Sequence, residues 1–306
     1  MVREMKVAIT GANSAIGQAI LRRSEEESEP ISFTAAVRSE RAAGQLPPLP
    51  DGCRVAYITY DDPESLRSAF TDAHSVVHLA GLLIERPGSS YQQANVETTG
   101  AVVEAARQSA VKKLVLISAV GSDESSANRY FRSKGQAEAL VRASGLAYTI
   151  LRVPLLLGRG TEGAAALRRH LSRPTARLIG GGRHLDQPLD VEDVAAAAKR
   201  ACGSDSAPNR TLELVGPVTL PHREIIIRAA RLAGREVKIS SIPKALVRLV
   251  LAVRERFAAA GFSTDALEVI TTNTRLDPAP VAAEMGIQLT GLDEMIQHSL
   301  EEVKRK

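Results

Sequence analysis

Lys6-Val-Ala-Ile-Thr-Gly-Ala-Asn-Ser-Ala-Ile-Gly17 is the stretch whose reading decides the fold. Val7, Ala8 and Ile9 form a short apolar run of the kind that makes a strand buried on both faces. Gly11 allows a tight turn, and from Ile16 a helical pattern begins whose first amides lack partners within the helix. Gly17 lets that helix pack close to the strand. A strand, a glycine turn and a helix in this order make a cradle for a dinucleotide pyrophosphate. Its residues are Gly11, Asn13, Ser14, Ala15, Ile16 and Gly17, with Ser14 where a middle glycine is expected. An ordinary βα turn has the same local pattern, so the flanking units decide between the two.

Outward from the cradle, strands alternate with helices. Strands are expected at 31–37, 54–59, 75–80, 114–118 and 148–153, with helices at 16–26, 63–70, 89–109 and 130–144 between them. That alternation requires a parallel sheet with right-handed crossovers. Beyond residue 158 the pattern changes. A short strand at 175–179 lies between glycine-rich loops, a helix spans 190–202, and a strand at 211–215 returns to the sheet. After Pro217 mainly helices are expected. The predicted architecture is α/β, a Rossmann-type doubly wound parallel sheet with a smaller, mainly helical C-terminal cap. Residues 1–158, with 186–216 returning, form the nucleotide domain, and 159–306 the cap or substrate region.

The 306 residues carry a formal net charge of +4, spread as single arginines rather than as blocks. Aromatics make up 3% and tryptophan is absent, so the stacking platforms of single-strand binders are missing and no nucleic-acid partner is expected. Cys53 and Cys202 stand alone, without metal-ligand spacing, so neither a disulfide framework nor a metal site is expected. The chain runs from Met1 straight into the first strand and holds no 18-residue uncharged run. A cytoplasmic protein is expected.

Arg38 directly follows the second strand, where an NAD-binding fold places an acid on the ribose 2′-hydroxyl. A guanidinium there suits a 2′-phosphate through bidentate bonds, and Arg41 lies one turn on. NADP(H) is therefore expected over NAD(H), with Glu40 the only nearby acid. The fourth strand ends His78-Leu-Ala-Gly81, where Ala80 and Gly81 permit close approach to a cofactor ribose and His78 reads as a core histidine. Asn95 falls mid-helix, which is unfavourable unless its amide has a partner.

Tyr130-Phe-Arg-Ser-Lys134 carries the strongest chemical signal. Residues four apart share a helix face about 5–6 Å apart at Cβ. Lys134 is expected to favour the Tyr130 phenolate, lowering its pKa toward working pH, and to donate to ribose hydroxyls. The simpler alternative is a surface helix pair.

Taken together, Thr10-Gly-Ala-Asn-Ser-Ala-Ile-Gly17, Val77-His-Leu-Ala-Gly81, Asn95-Val-Glu-Thr, Ile117-Ser-Ala-Val-Gly121, Tyr130-Phe-Arg-Ser-Lys134, Leu151-Arg-Val-Pro154 and Asp190-Val-Glu-Asp-Val194 resemble the extended short-chain dehydrogenase/reductase family over nearly the full length. The pattern Tyr-x-Arg-Ser-Lys-Gly-x-x-Glu138 is similar to the branch containing the nucleotide-binding accessory subunit of respiratory complex I and its bacterial relatives. The resemblance implies Tyr130 and Lys134 as catalytic residues. It places the family's catalytic Ser/Thr on Ala119, leaving Ser118 or Ser122 as substitutes. It also implies a homodimer through the two long sheet-flanking helices. Three functions follow: an oxidoreductase on an unknown carbonyl or alcohol, a non-catalytic accessory, assembly or redox-sensing protein, and a nucleoside-diphosphate-sugar epimerase, against which Arg38 argues. The segment from Pro243 to Phe262 bears an unusually wide apolar surface with Arg248, Arg254 and Arg256. It fits either a packed cap helix or a face for peripheral membrane or complex association.

Overall fold

The computed structural model describes residues 5–22, 31–203, 208–257 and 261–301. The chain divides into two compact units. Residues 1–82, 91–152 and 194–213 form the first, and residues 83–90, 153–193 and 214–306 the second.

The first unit is built on a seven-stranded parallel sheet. Its strands are β1 (Met5–Thr10), β2 (Ile31–Val37), β3 (Arg54–Tyr57), β4 (Ser75–His78), β5 (Lys113–Ala119), β6 (Ala147–Val153) and a last strand, Arg210–Glu213. In space they run Arg210–Glu213, β6, β5, β4, β1, β2, β3. The winding reverses beside β1, so the carboxyl ends of β1 and β4 stand together where open α/β sheets bind ligands. Helices α1 (Ala15–Arg22), α2 (Glu40–Ala43), α3 (Pro63–Phe70), α4 (Thr98–Arg107) and α5 (Arg129–Arg142) connect the strands. Leu66 and Phe70 of α3, Val102 and Ala106 of α4 and Val141 of α5 share one core with Val76, Leu114, Leu116 and Ile150 of the sheet. Pro63 at the first helical turn and the Asp62 carboxylate, which accepts the Glu64 amide at 3.0 Å, start α3.

Two departures from the sequence reading lie here. The expected helix at 89–109 begins with a π-helical turn, Gln92–Glu97, before α4, and Ser89 and Ser90 stand outside it. The expected helix at 16–26 is seen through Arg22, and its remainder falls outside the described residues.

The second unit packs helices Glu162–Leu171, His222–Leu232 and Leu292–Leu300 around Leu167, Ile225, Ile226, Met295 and Ile296. Beside them Thr175–Ile179 pairs in parallel with Lys238–Ile242, a strand between two expected helices where none was read. Its partners Ala176 and Leu178 are buried, so register against an apolar strand overrides the serine content. Helix Glu162–Leu171 is also new to the sequence reading. Thr161 caps it by accepting the Ala164 amide at 3.0 Å, a signal masked by the neighbouring glycines. Among the described residues no helix is long and apolar enough to cross a membrane.

Candidate functional site

β1 feeds the turn between Gly11 and Ser14. Gly11 takes φ 74°, and a Cβ added there would stand 3.3 Å from the Ala80 amide nitrogen, so the chain leaving β4 leans on this turn. The Gly11 and Ala12 amides are both used by the Ala36 carbonyl, at 3.2 and 3.3 Å, which ties the turn to the end of β2. Ser14 accepts the Gly17 amide through Oγ at 3.2 Å and so caps α1, a task glycine cannot perform. At Gly17 a Cβ would stand 2.4 Å from the Ala12 carbonyl oxygen. The close approach is thus to the turn rather than to the strand. Among the described residues the amides of Asn13, Ala15 and Ile16 have no backbone acceptor. These three donors at the head of α1 suit an anion.

Arg38 is exposed at the first position past β2, and among the described residues it makes no hydrogen bond or ion pair. Ser39 caps α2 beside it, and Arg41 on α2 is also exposed. The Arg38 charge favours the Tyr60 phenolate, but burial dominates and pushes that phenol up to about 12.

β4 ends in a neutral histidine. His78 is 2% exposed, and its Nδ1 lies 2.7 Å from the Thr10 hydroxyl. Burial, followed by the nearby Lys134 charge, lowers its pKa to about 3. Ala80, half-buried, and Gly81, exposed, come next.

Asn95, in the π-helical turn, clamps this segment. Its Oδ1 accepts the Leu82 amide at 3.1 Å, and its Nδ2 donates to the Ser133 hydroxyl at 2.9 Å. Ser133 in turn donates to the Tyr130 carbonyl at 2.7 Å. The mid-helix amide therefore joins the end of β4 to the first turn of α5. The sequence marked Asn95 only as a misfit; its partner 38 residues on was not legible.

The first turn of α5 is fixed by Asn128, whose Oδ1 accepts the Tyr130 and Phe131 amides at 3.0 and 3.3 Å. The half-buried Tyr130 ring packs edge-on against Tyr91 and Phe131, with centroids 5.7 and 5.6 Å apart. Lys134 is buried, and its Nζ donates to the Ile117 carbonyl at 2.9 Å. A Cβ on Gly81 would stand 3.7 Å from that nitrogen. Lys134, Gly81 and Asn95 therefore meet at the carboxyl edge of β4. The electrostatics differ from expectation. Burial raises the Tyr130 phenol pKa, and Tyr91 adds to the rise. Burial lowers Lys134 to about 8, partly offset by Glu138. Burial is the larger of the two causes at Tyr130, which is a protonated phenol at neutral pH.

Glu138 is fully buried and accepts from Arg152 at 2.9 and 2.7 Å and from Arg142 at 2.5 Å, bracing α5 against β6. The Ser118 hydroxyl is buried and lies 3.1 Å from that of Ser122, which itself donates to the Ala119 carbonyl at 2.6 Å. Both hydroxyls close the turn after β5.

Gly135, next to Lys134, lets the 123–124 backbone cross α5. A Cβ there would stand 2.3 Å from the Glu124 amide nitrogen. Gly135→Ala is expected to destabilise the protein by about 1–3 kcal/mol despite alanine's better helix propensity. Thermal melts should show Tm down by roughly 3–10 °C; a Tm equal to wild type would mean that the crossing loop yields freely.

A family model described as NAD(P)H-binding matches residues 11–200, more than half of the chain. The chain is 25% identical over 245 residues to the photosystem II assembly factor Ycf39 of Cyanophora paradoxa, covering 80% of this chain and 74% of that protein. It is 28% identical over 197 residues to the mitochondrial NADH dehydrogenase (ubiquinone) 1 alpha subcomplex subunit 9 of Arabidopsis thaliana, covering 61% and 48%. Among solved structures, the Escherichia coli NADPH-dependent quinone oxidoreductase QOR2 complexed with NADPH superposes with a TM-score of 0.73 at 20% identity. That match covers 96% of this chain and 100% of the other and shows likeness of fold.

Proposed function

Since the chain belongs to the NAD(P)H-binding family, we propose that it is an NADP(H)-dependent oxidoreductase that reduces a carbonyl or oxidises the corresponding alcohol. One observation carries the reading: Tyr130 and Lys134 on one face of α5, with the Lys134 ammonium beside Gly81 at the edge of the sheet. The cradle suits the nucleotide: among the described residues the Asn13, Ala15 and Ile16 amides have no backbone acceptor and could meet the pyrophosphate, and Arg38 has no partner and could meet the 2′-phosphate.

NADPH, when bound, would supply a hydride for the carbonyl carbon. Tyr130 donates its phenolic proton to the carbonyl oxygen as the C=O π bond is lost, and burial keeps that proton in place at neutral pH. Lys134, anchored on Ile117, holds ribose hydroxyls and carries the positive charge that eases proton loss from Tyr130. The first test is the nucleotide retained on purified protein, identified by mass spectrometry. Recovery of NADP(H) supports the assignment, and a protein that neither retains nor binds either nicotinamide nucleotide overturns it.

A second reading, an accessory or assembly protein, rests on Ala119 and on the helix Lys244–Glu255. The assembly-factor and complex I relatives point the same way. Of that helix only Leu251 is fully buried, with Val247 and Glu255 half-buried, so residues 247, 251 and 255 form a single inward stripe. Leu246, Leu249, Val250, Val253 and Phe257 are exposed, Phe257 by 86%, among the exposed cations Lys244, Arg248, Arg254 and Arg256. An apolar face interleaved with arginines suits the interface of an anionic bilayer. Wild-type protein is expected to pellet with anionic vesicles and to be released by salt. Leu249→Glu should abolish pelleting with stability unchanged within about 0.5 kcal/mol, because Leu249 is 63% exposed. Wild-type protein that stays in the supernatant would remove this reading and leave the reductase intact.

A further inference from the structure

The sequence shows no metal-ligand spacing, yet the fold of the second unit gathers His184, Asp186 and His222. One ligand atom from each lies within 4.8 Å of the others. Asp186 Oδ2 stands 2.6 Å from His222 Nδ1 and 3.7 Å from His184 Nε2. The two imidazoles are stacked, with centroids 4.9 Å apart and planes inclined at 22°. The first Asp186 contact is a hydrogen bond; the second is too long to be one. His184 Nε2 is accordingly buried without a hydrogen-bond partner among the described residues. A hydrogen-bonded His222–Asp186 pair explains two of these groups and leaves that nitrogen unaccounted for.

We propose that His184, Asp186 and His222 bind a divalent transition-metal cation of the zinc class. Two imidazole nitrogens and one carboxylate with a fourth position open make a donor set that Zn²⁺ takes, with ligand distances of about 2.0–2.2 Å. Ligand atoms of a tetrahedral centre of that size lie about 3.3 Å apart, between the two Asp186 separations found here. Seating the ion requires the three side chains to adjust to that separation, and the orphaned His184 nitrogen then gains its partner.

The backbone holds the three residues before any ion arrives. Leu185–Asp186 pairs antiparallel with Leu220–Pro221, and the His222 amide donates to the His184 carbonyl at 3.0 Å. The Leu185 amide donates to Asn273 Oδ1 at 2.8 Å, and its carbonyl accepts the Thr274 amide at 2.8 Å. An ion there would pin the strand residues 184–186 to the start of helix His222–Leu232, raising the stability of the second unit by mass action.

The test uses untagged full-length protein freed of metal with a chelator. Calorimetric titration with ZnCl₂ is expected to give one site, and CoCl₂ is expected to develop the visible d–d band of a nitrogen- and oxygen-ligated ion. His184→Gln and His222→Gln should each weaken Zn²⁺ at least about 100-fold, more than the loss of an outer-shell partner. Circular dichroism and thermal melts check that the variants fold. Absence of saturable Zn²⁺ binding to wild type, a featureless Co²⁺ spectrum, or binding retained in a folded variant would each overturn the proposal. The Co²⁺ spectrum of wild type decides the matter if the variants do not fold.

Discussion

Tyr130→Phe is expected to lower NADPH-dependent reduction about 100- to 10,000-fold, the range for a lost general acid, while leaving the NADPH affinity within about twofold. The ring keeps its packing on Tyr91 and Phe131 in the variant and loses only the proton to be transferred. Lys134→Ala should harm both activity and affinity, because its ammonium is assigned to ribose as well as to Tyr130. The sign of the pH dependence follows from the same pair. Tyr130 stays protonated across the working range, whereas Lys134 titrates near 8 in the free protein and is cationic below that value. kcat/KM for reduction should therefore be highest below about pH 8 and fall as pH rises through it. A panel of ketones, aldehydes and quinones, followed by NADPH consumption, provides the assay. Full turnover by Tyr130→Phe would show that the proton comes from another group.

Arg38→Asp is expected to reverse cofactor preference. Wild-type protein should bind NADPH more tightly than NADH, because among the described residues the exposed Arg38 guanidinium has no partner and no acid holds its place after β2. Replacing it by a carboxylate removes an attraction to the 2′-phosphate and adds a repulsion, together about 2–3 kcal/mol or roughly 30- to 160-fold in Kd. NADH, which has no such phosphate, gains an acceptor for its 2′-hydroxyl. Equal affinities of the wild type for the two nucleotides, measured by calorimetry, would remove Arg38 from the site.

The alternation of β1 to β6 with helices was legible because the inner strands are largely apolar runs buried on both faces, β3 at the sheet edge being mostly exposed. Ile31–Val37 and Pro63–Phe70 can be read to the residue, since Pro63 and Asp62 mark a helix start locally. Lys238–Ile242 was not, because its strand character comes from pairing with Thr175–Ile179, some sixty positions earlier in the sequence. The same division runs through the site. Tyr130 and Lys134 are four apart on one helix, so their shared face follows from helical geometry. The Asn95 clamp, the Ser118–Ser122 contact and the burial that raises the Tyr130 pKa depend on what the fold brings near. None of these has a period that a sequence displays.

The order of the strands also bears on how the protein keeps to itself. The sheet ends on β3 at one side and Arg210–Glu213 at the other, each only four residues long. At the first end Arg54 and Tyr57 are exposed, and the Arg54 guanidinium folds over to the Ser68 carbonyl at 3.1 Å. At the second Arg210 and Thr211 are exposed, and Glu213 is bridged to Arg152 at 3.6 Å. A strand from a neighbouring molecule would find a short ladder flanked by charge, an arrangement that discourages edge-to-edge growth into fibrils. Crowded copies of this chain have little to gain by extending one another's sheets, so self-association falls to side-chain surfaces, where single substitutions can tune it.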